Sequence, residues 1–229
     1  MILSFMLSRV GYGASRAIRN LGLTLALSFS VAGAANAQGV TVFALGDSLT
    51  AGYGLPEPEG LVPQLNAWLA DQGAEVTVLN GGVSGDTSAG GLSRLAWSLT
   101  PEVDALIVTL GGNDLLRGLQ PGVTRSNIEA ILKEAQARDL PVLLIGMEAP
   151  GNFGPAYKTA FDGLYPELAA QYEALLIDSY FGLIDPKASD PGQIAQYMQA
   201  DGIHPNAQGV QRAVESLGPR VLELVAQID

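Results

Sequence analysis

The scarcest reactive residue in the chain narrows the search for chemistry, because His204 is the single histidine. It sits in Asp201-Gly202-Ile203-His204-Pro205. An imidazole that titrates near neutrality can take a proton from a serine hydroxyl. Asp201, three residues earlier, can reach the other ring nitrogen, fix the tautomer and stabilise the imidazolium. An isolated Asp-x-x-His equally suits a plain turn, so its company matters. Gly46-Asp47-Ser48-Leu49-Thr50 breaks abruptly out of the apolar run Val40-Thr41-Val42-Phe43-Ala44-Leu45. That places Ser48 in a strand-to-helix turn, where α/β proteins collect ligands; a role as helix cap is the alternative for Ser48 or Thr50. Acyl transfer creates an oxyanion that needs preorganised donors, each worth roughly 2.7–4 kcal/mol in mutational tests. The backbone N–H groups of Ser48 and Gly85 and the side-chain amide of Asn113 could supply three. Taken singly, Gly85, Gly111-Gly112 and Asn113 also serve as turn or cap residues.

Positioning these groups requires a regular scaffold, and the hydrophobic pattern supplies one. Strands are expected at Val40–Leu45, Glu75–Leu79, Val103–Leu110, Val142–Gly146 and Leu175–Asp178. The third is nearly all apolar, as a strand buried on both faces should be. Between them lie segments with helical spacing, namely Gly60–Asp71, a stretch ending near Leu99, Ser126–Ala137 and the run through Tyr157, Phe161, Leu164 and Leu168. A long irregular stretch reaches Asp201, and a last helix begins near Asn206. Repeated βαβ units predict one three-layer α/β/α domain over residues 38–229, with a parallel sheet and helices on both faces. In the common flavodoxin-like strand order 2-1-3-4-5, strands one and three are neighbours at the switch point. Ser48, Gly85, Asn113 and His204 then follow strands one, two, three and five, all at the carboxyl edge of the sheet. Strand five lies three steps from strand one, about 14 Å at ~4.8 Å per step. The segment from Asp178 to Asp201 is long enough to bring His204 back across that distance.

Composition excludes several functions. Hydrophobic content of 48% with 15% charged residues describes a folded globular chain. A formal charge of −11, with no basic patch, argues against nucleic acid as a partner. The chain has no cysteine and one histidine, which excludes thiolate and multi-histidine metal sites. Residues 1–37 have the plan of an export signal: Arg9, Arg16 and Arg19, then the short apolar core Leu21–Val31, then the small-x-small site Ala35-Asn36-Ala37. The apolar core is short for a membrane span, with an uncleaved anchor as the alternative. Cleavage after Ala37 removes three arginines from 12 basic residues and leaves 9 against 23 acidic ones, a net of −14. An acidic, exported protein of the periplasm or medium is expected, with no stable membrane insertion after cleavage.

Four blocks in order, Gly46-Asp47-Ser48-Leu49 with Gly52, Ser84-Gly85-Asp86-Thr87, Gly111-Gly112-Asn113-Asp114 and Asp201-Gly202-Ile203-His204-Pro205, resemble the SGNH (GDSL) hydrolase family. They span nearly the whole of residues 38–229. The serine block alone is weakly specific; the four together are highly so. Ser84–Ser88 and Leu110–Gly118 look like signatures of the exported bacterial arylesterase, thioesterase and lysophospholipase group. The resemblance implies Ser48 as nucleophile, His204 as base, Asp201 as its orienting acid, and the N–H of Ser48, Gly85 and Asn113 as oxyanion donors, with no cofactor and no metal. The implied substrates are small-molecule carboxylic esters of aryl alcohols, short to medium acyl chains or lysophospholipids, and acyl thioesters. Leu115, Leu116, Phe153 and Tyr157, in the segments after strands three and four, suit an apolar acyl groove; ordinary loop packing explains them equally. A carbohydrate acetyl-esterase is the alternative within this chemistry. A non-catalytic acyl-binding protein on the same scaffold is the alternative outside it.

Overall fold

The computed structural model describes residues 39–187 and 191–228; the export-signal reading of residues 1–37 lies outside them. Five parallel strands form one sheet: β1 (Val40–Gly46), β2 (Val76–Gly82), β3 (Ala105–Thr109), β4 (Val142–Ile145) and β5 (Leu175–Ile177), in the order β2-β1-β3-β4-β5. This is the expected order. Every residue of β3 and β4 is buried, which is why both read as unbroken apolar runs. β1 pairs on both sides, Val42 opposite Val78 and Ala105, and Gly46 opposite Gly82 and Thr109.

The helices follow the strands. They are α1 (Ser48–Ala51), α2 (Leu61–Asp71), α3 (Ser88–Ser98), α4 (Gly112–Leu116), α5 (Pro121–Gln136), α6 (Pro155–Gln171), α7 (Tyr180–Ile184) and α8 (Ala207–Val225). α2 and α7 pack on α8, while α5 packs on both α3 and α6. With right-handed crossovers and this strand order, the two groups cover opposite faces of the sheet. Leu65, Leu69, Val221 and Leu224 fill the core beneath one layer and Leu95, Ile128, Ile131 and Phe161 beneath the other.

Three boundaries differ from the sequence reading. α5 begins at Pro121, five residues before the expected Ser126, because a proline is at home in a first helical turn that needs no N–H from it. Gly112–Leu116, read as a glycine turn, is a short helix. The stretch after β5 is not irregular throughout. It contains α7, which buries Tyr180, Leu183 and Ile184, and a 3₁₀ segment at Pro191–Tyr197. A five-residue helix is too short to show a period, so only its burial against α8 identifies it.

Candidate active site

Ser48 opens α1 directly after β1. The turn is held by its neighbour Asp47, whose Oδ1 accepts the Leu49 N–H at 3.0 Å and so caps the helix. α1 ends after one turn at Gly52, in a left-handed conformation. Ser48 is thereby left at the carboxyl edge of the sheet, half-buried and facing a cavity of about 630 Å³.

His204 arrives from the far end of the chain. Its Nε2 lies 2.8 Å from Ser48 Oγ and its Nδ1 lies 2.7 Å from Asp201 Oδ2. Asp201 Oδ1 also accepts the Ile203 and His204 N–H groups, at 2.9 and 3.0 Å, so the carboxylate and the ring are fixed to one turn. The hydrogen bond from His204, then the two backbone donors, bring the Asp201 carboxyl down to about 2. It is ionised throughout the neutral range. The Tyr53 ring packs on the imidazole, with centroids 4.5 Å apart. A serine hydroxyl, an imidazole and an ionised carboxylate in this sequence form a relay that can raise the nucleophilicity of the hydroxyl.

Two further loops converge on Ser48. Gly85 adopts φ +87°, which favours glycine, and its carbonyl accepts from Arg117 Nη2 at 2.7 Å. The loop is tied to the sheet by Arg94, which reaches Asp86 Oδ2 at 2.7 Å and the Gly46 carbonyl at 2.8 Å. Asn113 stands on α4, and its Nδ2 donates to Asp47 Oδ2 at 3.1 Å, leaving a second amide hydrogen for the cavity. Next to it, Asp114 is fully buried and accepts from the Ser88 N–H at 2.7 Å, the Ser88 hydroxyl at 2.5 Å and the Thr124 hydroxyl at 3.2 Å. That cluster fixes α4 to the start of α3, and with it Asn113 to the Gly85 loop. The N–H groups of Ser48 and Gly85 donate to no group among the described residues.

The structure therefore brings Ser48, Gly85, Asn113, Asp201 and His204 to one place. Leu115 and Leu116 line the cavity too. Phe153 and Tyr157 do not line it. They stack on each other with centroids 4.9 Å apart, Tyr157 continues the stack onto Phe161, and its hydroxyl donates to the Leu119 carbonyl at 2.7 Å. Tyr157 and Phe161 stand one turn apart on α6, and Phe153, in the 3₁₀ turn Gly151–Phe153 before that helix, extends the column. The wall is completed by Tyr53, Met147, Glu148, Phe181 and Ile203, none of which the sequence pattern singled out. Only Met147 and Glu148 carried a signal, as residues directly following strand four. Among the described residues no group of three or more His, Cys, Asp or Glu side chains could hold a metal ion, and no helix is long and apolar enough to cross a membrane.

Residues 44–212 match the GDSL-like Lipase/Acylhydrolase family. Esterase TesA of Pseudomonas aeruginosa is 39% identical over 186 residues, covering 81% of this chain and 89% of the relative. The Thioesterase 1/protease 1/lysophospholipase L1 of Escherichia coli is 37% identical over 168 residues, 72% of this chain and 76% of the relative. Among solved structures, the psychrotrophic esterase EstA from Pseudoalteromonas sp., inhibited by monoethylphosphonate, superposes with a TM-score of 0.73 at 28% identity. It covers 81% of this chain and 98% of that one.

Proposed function

From the premise that this chain belongs to the GDSL-like lipase/acylhydrolase family and is a carboxylic ester hydrolase, we propose that it works through Ser48 and an acyl-enzyme. The observation that carries the mechanism is the relay Asp201–His204–Ser48, at 2.7 and 2.8 Å, beside the N–H groups of Ser48 and Gly85, which donate to no group among the described residues. Ser48 Oγ attacks the ester carbonyl while its proton passes to His204 Nε2. Asp201 holds Nδ1–H and stabilises the imidazolium. The carbonyl oxygen, now an oxyanion, takes hydrogen bonds from the N–H of Ser48, the N–H of Gly85 and the free amide hydrogen of Asn113. Collapse of the tetrahedral intermediate expels the alcohol or thiol, which leaves with the proton from His204. Water, deprotonated by His204, then releases the acid and restores Ser48.

The apolar lining supplied by Leu115, Leu116, Met147, Phe181 and Ile203 favours short to medium acyl chains and aromatic groups, as esters or thioesters. The names of the relatives include thioesterase and lysophospholipase, which supports the same range. The pattern of residues 1–37 supports export to the periplasm or medium.

Fluorophosphonate labelling tests the mechanism. The adduct maps to Ser48 by mass spectrometry, and Ser48→Ala and His204→Ala abolish both labelling and turnover while leaving the thermal unfolding transition in place. Full labelling and turnover in a folded His204→Ala protein would overturn the relay.

A further inference from the structure

Glu148 is an unusual wall for an apolar acyl pocket. It follows β4, lines the same cavity as Ser48, Asn113 and His204, and is half-buried. Its carboxylate has no hydrogen-bond or ion-pair partner among the described residues. The cation that acts on it, Lys158, is committed elsewhere, since its Nζ donates to the Ala149 carbonyl and pairs with Asp162, both at 2.7 Å. Arg117 spends a guanidinium hydrogen on the carbonyl of Gly85, a residue of the cavity wall. Burial pushes the Glu148 carboxyl upward, with Asp162 and Asp178 adding to it and Lys158 opposing. The other two carboxylates of the site are already satisfied, Asp47 by Leu49 and Asn113, Asp201 by its own turn and His204. A partly desolvated charge without a partner is left pointing at the space a substrate fills, and a ligand charge there is weakly screened.

We propose that Glu148 is a specificity-determining residue that sets the charge preference of this pocket, favouring neutral and cationic ligands over anionic ones. The inference rests on the esterase reading of the Ser48 site and narrows its substrates to esters without a negative charge near the reacting carbonyl. Half-esters of dicarboxylic acids fall in the disfavoured class, and esters bearing a quaternary ammonium group in the favoured one. The same repulsion acts on the carboxylate that every turnover produces, and so weakens product inhibition.

The test separates ligand charge from catalysis. In Ser48→Ala protein, calorimetric titration with hexyltrimethylammonium and with hexanoate compares one cation and one anion of the same chain length. Glu148→Gln in that background is expected to weaken the cation and tighten the anion, each by roughly tenfold, the effect of one unit charge in a partly solvated site. Glu148→Lys reverses the preference. Affinities that move together, or do not move in a folded variant, overturn the proposal. Hydrolysis by the otherwise unchanged protein is read separately, as the kcat/KM of a choline ester against its neutral 3,3-dimethylbutyl isostere. Their ratio falls in Glu148→Gln, and a constant ratio counts against the proposal. Ligand affinities that split by charge, when the protein that retains Ser48 cleaves no ester, would sink the esterase reading and leave the pocket charge standing. Ester cleavage with no charge split would do the opposite.

Discussion

Asp47 lies beside Ser48 in the chain yet is only 2% exposed, and its carboxylate is what holds Asn113 in place. An ionised carboxylate only accepts, so Asn113 must present an amide hydrogen to it and keeps the other for the oxyanion in the proposed mechanism. Asparagine at position 47 could instead donate, and the Asn113 amide would turn its oxygen inward. Asp47→Asn is therefore expected to lower kcat by about 10–100-fold, less than loss of an oxyanion donor outright, with KM little changed. Burial, partly offset by the Leu49 and Asn113 hydrogen bonds, raises the Asp47 carboxyl from 3.8 to about 6. The folded chain then holds this proton more tightly than the unfolded chain. The stabilisation is fully present below about pH 4 and is lost as pH rises through about 6, roughly 3 kcal/mol at ~1.36 kcal/mol per pKa unit. Urea unfolding should show Asp47→Asn gaining on the unsubstituted protein between pH 4 and pH 7. A constant difference over that range would contradict the burial argument. The proposed base was legible in the sequence because His204 is the single histidine, and Ser48, Gly85 and Asn113 because each follows a strand end in a small-residue turn. The burial of Asp47 was not, since an aspartate in a glycine turn reads as exposed.

The short helix α4 depends on how β3 ends. Gly111 takes φ +113°, and a methyl group there would run into the hydroxyl of the fully buried Tyr165. That hydroxyl donates to the Leu110 carbonyl at 3.0 Å, so it cannot move aside without leaving two buried polar groups unpaired. Gly111→Ala combines a conformation that L side chains avoid with this collision, and is expected to cost at least about 2 kcal/mol, read by thermal unfolding. Activity should fall further than stability explains, because Asn113 rides on the displaced turn. Adding Tyr165→Phe removes the obstructing oxygen and should recover part of the packing loss but none of the φ strain; strictly additive effects of the two substitutions would show that the contact is not the cause. Strands β3 and β4 could be read from their apolar runs, whereas α4 and α7 could not. Five residues do not complete enough turns to show a helical period, and their burial is decided by partners remote in sequence.

Across the whole molecule, the site joins the first strand to the last loop, and Gln199 makes the join. Its Nε2 donates to the Tyr53 carbonyl at 2.8 Å and to the Pro205 carbonyl at 2.9 Å, while its backbone N–H donates to the His204 carbonyl at 2.7 Å. The segment carrying Asp201 and His204 is thereby pinned to the loop that follows α1. Gln199→Ala is expected to lower kcat by about tenfold through misalignment of His204 with Ser48, since a displacement of about 1 Å can cost more than that. Thermal stability should change little, because Gln199 spans exposed loops and contributes nothing to the core. Addition of the neutral isostere Gln199→Met should fail to restore the rate; a full restoration would mean that bulk, and not hydrogen bonding, aligns the loop.

The sequence alone determined the class of the fold, and it pointed to the order of its strands and to the residues proposed here to carry the chemistry. Apolar runs of strand length alternate with segments of helical period, and right-handed crossovers reduce that alternation to a handful of arrangements, of which 2-1-3-4-5 is a common one. A single histidine and a serine at a strand end narrowed the choice of the base and nucleophile proposed here. Only the tertiary structure decided the walls of the pocket. Whether Phe153 and Tyr157 faced substrate or stacked on Phe161, and whether Glu148 found a cation, depended on how α6 and the loop before it settle against the sheet. Local sequence places a residue on an element, but the contacts that give a side chain its environment come from elements elsewhere in the chain.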